Sequence, residues 1–117
     1  MNTHEKLQPV CWVRIAPAPA IPPGLGVAAL VGGQQLAIFR CADGLLKAIS
    51  NYDPIGAANV LSRGLIGQLQ GRRVVASPLY KQHYDLDTGH CLEDPELLLP
   101  VYPVRENQGY IEVGIAA

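Results

Sequence analysis

Ser77, His83, His90 and Cys91 lie within fifteen residues of one another in the stretch "VASPLYKQHYDLDTGHC", Val75 to Cys91. Side chains of these types can hold a metal ion or form a nucleophile with its base. A metal site would take His83, His90 and Cys91, with His4 as a remote fourth ligand. Alternation along a strand opposes this, because His83 and Tyr84 must face opposite sides, as must His90 and Cys91. Ser77 and Cys91 are the only nucleophile candidates near a histidine, and neither sits in a glycine-flanked elbow. "DLDTG" starts with alternating oxygen ligands, like a calcium loop, but lacks the ring-closing Glu, so an Asx-type turn closing a hairpin is the expectation. No catalytic, cofactor-binding or metal residue is assigned.

The rest of the composition narrows the classes further. Nine basic and ten acidic residues nearly cancel, and the longest basic cluster is the pair Arg72 and Arg73, which excludes an electrostatic footprint for nucleic acid or an anionic membrane. "MNTHEKLQP" has no apolar signal-peptide core, and no run approaches the ~20 apolar residues of a spanning helix, so a cytoplasmic protein is expected. Cys11, Cys41 and Cys91 are odd in number and widely spaced, which fits partly buried thiols rather than a disulfide framework or zinc ribbon.

These side chains must be positioned by short strands. Twelve glycines and ten prolines punctuate brief apolar runs in a chain of 117 residues, enough for one domain. "PVCWVRI" reads as a first strand, and "APAPAIPPGLG" as an extended surface loop in which Gly24 and Gly26 supply positive φ. "GLGVAALVGG" superficially suggests a dinucleotide loop, but prolines precede it and a β-type run follows. "VAALV", "QQLAIFR" and "LLKAIS" form a meander with tight turns at Gly32-Gly33 and Ala42 to Gly44. Asn51 to Gly67 should be mostly loop, with at most one helical turn around Ala57 to Leu61. "RRVVAS" and "HYDLDTG" give further strands, and "LPVYPVR" and "GYIEVGI" a closing hairpin across "ENQG". The prediction is a compact all-β domain of about nine short strands with almost no helix.

In this setting the chain resembles the Rieske family, whose fold is a small sandwich of antiparallel sheets. There, a Cys-x-His loop and a Cys-x-x-His loop hold a [2Fe-2S] cluster at the tip. "SPLY" followed by "HYDLDTG" sets Ser77 at the second Cys position and Tyr80 at the second His position. After "LLKAISN", "DPI" sets Asp53 and Ile55 at the first pair. The resemblance thus implies that all four ligands are replaced, and the expectation is residues 1–9 as an N-terminal extension and 10–117 as one domain without a cluster.

Within the family, the segments "AIFR", "NYDPIGAANVLSRGLIG", "ASPLYKQHYDLDTGHCLEDP" and "VYPVR" are similar to the branch formed by small subunits of assimilatory NAD(P)H-dependent nitrite reductases. That resemblance implies an accessory role beside a large catalytic subunit, which carries FAD, siroheme and an iron-sulfur cluster and reduces nitrite to ammonium. The isolated chain is then expected to be non-catalytic. At the tip, Ile55 and the Tyr80 ring are expected to pack together, while Asp53 and Ser77 bond across the gap or cap backbone groups. Arg63, Tyr80, Lys81 and Gln82 are the expected contact for the large subunit, a solvated rim being the bland alternative. Two other readings stay open: an adaptor for another oxidoreductase, and an electron carrier with ligands such as His83, His90 and Cys91.

Overall fold

The structure, a computed structural model, describes residues 10–116. His4 and the proposed extension 1–9 lie outside the described residues. Among the described residues, twelve strands run in the order β1 (Val10–Pro17), β2 (Gly26–Val31), β3 (Gln34–Arg40), β4 (Leu46–Ser50), β5 (Tyr52–Asp53), β6 (Ala58–Asn59), β7 (Leu65–Leu69), β8 (Arg72–Ala76), β9 (His83–Asp85), β10 (Val101–Tyr102), β11 (Val104–Asn107) and β12 (Tyr110–Ala116). The only helical elements among the described residues are two short 3₁₀ turns, Ala18–Ala20 and Leu61–Arg63. The all-β expectation holds, with the strand number larger than nine because three of the strands are only two residues long.

Four antiparallel sheets result: β1-β12-β11, β10-β4-β3-β2, the ribbon β5-β6, and β7-β8-β9. The second is central, and its inner strand β3 is buried on both faces. From β3, Leu36 and Ile38 point toward Ile111 and Val113 of β12, whereas Ala37 and Phe39 point toward Val75 of β8 and Tyr84 of β9. Four consecutive apolar residues in "LAIF" are therefore a strand with no solvent face. Register matches volumes across it: Ala37 opposes Ile49, and Ile38 opposes Ala48, so each core layer receives one small and one large side chain.

Several elements depart from the sequence reading, each for a local reason. "LPVYPVR" is not one strand. Val101 and Tyr102 pair with β4, and after Pro103 the chain crosses to pair Val104 to Asn107 with β12. A proline has no N–H to give to a ladder, and this one marks the change of sheet. "APAPAIPPGLG" is not wholly at the surface, because Ile21 is fully buried in the core between the first two sheets. Gly24 does have positive φ, but Gly26 lies inside β2, where a Cβ would sit 2.5 Å from Phe39 Cε1 and 2.6 Å from the Ser62 carbonyl. Its smallness serves close approach, not a turn. The segment expected to be mostly loop, Asn51 to Gly67, contains the two-residue strands β5 and β6 and the start of β7, an exposed edge strand whose alternation Gly67 breaks, and the helical turn falls at Leu61–Arg63. The remaining turns stand as read, with positive φ at Gly32, Gly33 and Gly44.

One more glycine fixes the turn after β9. Gly89 (φ 86°) accepts from Leu99 N–H at 2.8 Å and donates to the Asp85 carbonyl at 2.8 Å, and a Cβ there would run into the Leu99 carbonyl. Gly89→Ala is expected to lower stability by more than about 2 kcal/mol, because it meets both a strained φ and fixed backbone. Gly67→Ala meets open space at an ordinary φ and should stay within about 1 kcal/mol of the parent, on the stabilising side. Urea unfolding midpoints of the two variants check this contrast.

Candidate functional site

Two loops meet at one end of the molecule. The first is the hairpin between β5 and β6, in which Tyr52 pairs with Asn59 and Asp53 with Ala58. The second, Ser77 to Gln82, joins β8 to β9, and is closed by Ser77 N–H donating to the Gln82 carbonyl at 2.9 Å and Lys81 N–H donating to the Ser77 carbonyl at 3.0 Å. Lys81 adopts a left-handed conformation (φ 62°) to make that turn. A third segment borders them. Asn51 accepts from Ser62 N–H at 2.7 Å through Oδ1, and its carbonyl accepts from Leu61 N–H at 3.1 Å, which fixes the turn that carries Arg63.

Asp53 joins the loops. Its side chain is fully buried, and five neutral donors converge on it. Oδ2 accepts from Ser77 Oγ at 2.5 Å. Oδ1 accepts from Ile55 N–H at 2.9 Å, Gly56 N–H at 3.2 Å, Gln82 Nε2 at 2.7 Å and Tyr84 Oη at 3.3 Å. The two options foreseen for Asp53, bonding across the gap and capping local backbone, are realised together.

The electrostatics follow from this geometry. Burial pushes the Asp53 carboxyl upward, but the hydrogen bonds from Ser77, the Gly56 and Ile55 amides and Gln82 outweigh it and hold the group below its ordinary 3.8. Tyr84 responds in the opposite sense: burial first, offset by the Gln82 hydrogen bond and reinforced by the Asp53 charge, moves its hydroxyl up to about 12. Both shifts describe the same state, a carboxylate beside a protonated phenol. Hydrogen bonds to a charged group contribute roughly 1.5–3 kcal/mol each, against an ionic desolvation cost of several kcal/mol. Five such bonds outweigh that cost, in keeping with the lowered pKa, and their directions fix the geometry of both loops.

Placement of the remaining expected residues is mixed. Ile55 and Tyr80 do not join the core. They are 46 % and 67 % exposed, and Leu79, not Tyr80, lies against the first loop, over the face of Gly56 where a Cβ would fall. Arg63 and Lys81 are exposed. Gln82 is corrected: it is only 5 % exposed, and its amide faces Asp53 and Tyr84 rather than a partner. Strand alternation held the signal for this, since Gln82 and Tyr84 are two residues apart and share the inward face. Asn51 and Tyr84 were also missed as parts of the site.

Of the nucleophile and metal candidates, His83 and Cys91 both meet Glu93, Cys91 Sγ donating to Oε1 at 3.7 Å, but no group of three that could hold a metal ion forms among the described residues. Ser77 Oγ donates to Asp53 and meets no imidazole. His83 pairs through Nδ1 with Glu93 at 2.6 Å, and His90 bonds Thr88 on the opposite side of the turn from buried Cys91. Burial pushes the Cys91 thiol up, away from thiolate chemistry. The "DLDTG" segment forms the expected Asx turn, with Asp85 Oδ1 accepting from Asp87 and Thr88 N–H at 2.7 and 3.1 Å. Cys11 is exposed and Cys41 buried, both as free thiols.

A [2Fe-2S] cluster of the two-Cys, two-His type would need two thiolates and two imidazoles, at the positions the family resemblance implies, 53, 55, 77 and 80. Asp53, Ile55, Ser77 and Tyr80 offer none. Asp53 and Ser77 also spend their oxygens on each other at 2.5 Å, from one loop to the other. The residues present do not fit the group.

Comparison with known proteins places this geometry. Residues 11–114 match the family described as the Rieske-like [2Fe-2S] domain. The small subunit of the NADH nitrite reductase of Salmonella typhimurium is 46 % identical over 103 residues, covering 87 % of this chain and 95 % of its own. A large subunit of an NAD(P)H nitrite reductase, from Klebsiella oxytoca, is 40 % identical over 88 % of this chain but only 11 % of its own length. Among solved structures, that of a proposed NADH-dependent nitrite reductase small subunit from Mycobacterium tuberculosis superposes with a TM-score of 0.89 at 41 % identity, covering 93 % of this chain and 98 % of that one.

Asp53→Asn should cost about 3 kcal/mol, because the carboxamide must aim an N–H at donors arranged for a carboxylate. The sign with pH is fixed by the lowered folded-state pKa. The stabilising term is present above the ordinary carboxylate value and is lost as pH falls through the lower folded value. The parent should therefore lose more stability than Asp53→Asn between neutral pH and acid, as followed by urea unfolding at a series of pH values.

Proposed function

The chain belongs to the Rieske-like [2Fe-2S] domain family, and we propose that it is the small subunit of a cytoplasmic NAD(P)H-dependent nitrite reductase that serves nitrate assimilation without a cluster of its own. The reduction of nitrite to ammonium then belongs to a large subunit carrying FAD, siroheme and an iron-sulfur cluster. This chain binds that subunit and is non-catalytic when isolated.

The observation that carries the reading is near end-to-end similarity to a nitrite reductase small subunit, at 46 % identity over 87 % of the chain and 95 % of the relative. The Klebsiella relative adds that a domain of this kind is also found within a large-subunit chain, which favours a function exercised against that chain. Donor chemistry supports the cluster-free part. Aspartate, isoleucine, serine and neutral tyrosine are poor ligands for iron held by thiolate and imidazole, and the Asp53 network supplies the link between loops that a cluster supplies elsewhere. Asp53, Ile55, Ser77 and Tyr80 are thus read as ligand positions turned to structural and surface use.

The test is to purify the chain anaerobically, measure iron and visible absorbance, and then assay pyridine-nucleotide-dependent nitrite reduction by the large subunit with and without it. The expected result is a colourless, iron-free chain that has no activity alone and on which the activity of the large subunit depends. Stoichiometric iron would overturn the cluster-free assignment. Full activity without the chain would overturn the subunit assignment.

A further inference from the structure

The tip concentrates two kinds of unpartnered group. Of the eight Lys and Arg side chains among the described residues, Arg40, Lys47, Arg72, Arg73 and Arg105 are in ion pairs. Arg14 lies over the Tyr110 ring, 4.2 Å from its centroid. The two left without an ionic or aromatic partner among the described residues are Arg63 and Lys81, and both stand on the segments that meet around Asp53. The other six cations each have an ionic or aromatic partner within the chain.

Apolar groups are exposed at the same end. Leu79 and Tyr80 occupy the loop that Lys81 closes, Ile55 occupies the loop that Asp53 ties to it, and Leu65 follows Arg63 by two residues. They are 45 %, 67 %, 46 % and 80 % exposed. The segments are held side by side: Leu79 lies against Gly56, and Gly64 is so close to the Ala76 carbonyl that no Cβ fits between them. These side chains therefore ride on a braced platform. Presenting large apolar groups from ordered loops lowers the entropic cost of association, and aromatic anchors with flanking arginine are the groups that dominate binding energy at protein interfaces.

We propose that this tip is the docking face for the large subunit, and that its complement there is an apolar recess for Tyr80 and Leu79 rimmed by carboxylates that meet Arg63 and Lys81. The inference rests on the nitrite reductase reading above and adds the surface and the partner's chemistry to it. Charge complementarity selects an acidic rim, because two cations free of intramolecular partners gain most from carboxylates brought by another surface. Occurrence of a related domain within a large-subunit chain selects the occupant. Gln82 takes no part in contact; it belongs to the brace beneath the face.

The experiment is a binding titration of the full chain with the reconstituted large subunit, by calorimetry or interferometry at several salt concentrations, with folding of each variant checked by circular dichroism. Tyr80→Ala and the charge-reversing pair Arg63→Glu with Lys81→Glu should each weaken binding by about tenfold or more, and the charge-reversed chain should lose the salt dependence of the parent. Leu30→Ser, at an equally exposed leucine on β2, should leave affinity within about twofold. If the parent binds and the tip variants bind equally well, or Leu30→Ser is the one that weakens, the docking face is refuted while the subunit assignment stands. If the parent does not bind the large subunit at all, the subunit assignment itself fails, and the docking proposal with it.

Discussion

A carboxylate taken out of water without a cation beside it must be met by donors from every side, and at Asp53 that requirement organises one end of the molecule. The donors come from its own hairpin, Ile55 and Gly56, from the neighbouring loop, Ser77 and Gln82, and from the core, Tyr84 Oη. Because each must point inward, the backbone on both sides is fixed: the first loop turns tightly enough to aim two successive amides, and the second folds back on itself between Ser77 and Gln82. The exposed side chains of the tip are what these inward commitments leave pointing outward.

The scaffold beneath explains why the tip can carry that charge. The central sheet has core on both faces, and one of those cores runs from Phe39 and Ile49 through Val75 to Tyr84. Tyr84 is thus anchored by its ring in the apolar layer and offers its hydroxyl at the boundary, where Asp53 and Gln82 meet it. An apolar body with a polar end suits this position. Cores on both sides also leave the tip loops as the places where surface side chains can vary without disturbing packing.

Much of this was legible in the residues. Glycine and proline punctuation gave the hairpin turns, the run "LAIF" gave the central strand, and the order of "DPI" before "SPLY" located the paired loops. What escaped did so for physical reasons. Pro103 could not be recognised as a crossing between sheets, because its neighbours are equally apolar on both sides. β7 was hidden because Gly67 interrupts the pattern of an edge strand that tolerates polar residues. Gln82 and Lys81 look alike as polar neighbours of Tyr80, yet the pleat sends one inward to Asp53 and the other outward. Ile55 and Tyr80 were expected to cover the tip, but Leu79 holds the position over Gly56 and leaves both of them exposed.

The central claim is that a carboxylate holds together the two loops of the tip. Amide hydrogen exchange read residue by residue by NMR tests it most directly, because it reports the opening free energy of individual loop amides. The account predicts that Ile55, Gly56 and Lys81 N–H exchange as slowly as the amides of β8, and that all three lose protection together in Asp53→Asn. Exchange of these amides at the rates of an unstructured loop, in a chain whose β8 amides remain protected, would contradict it.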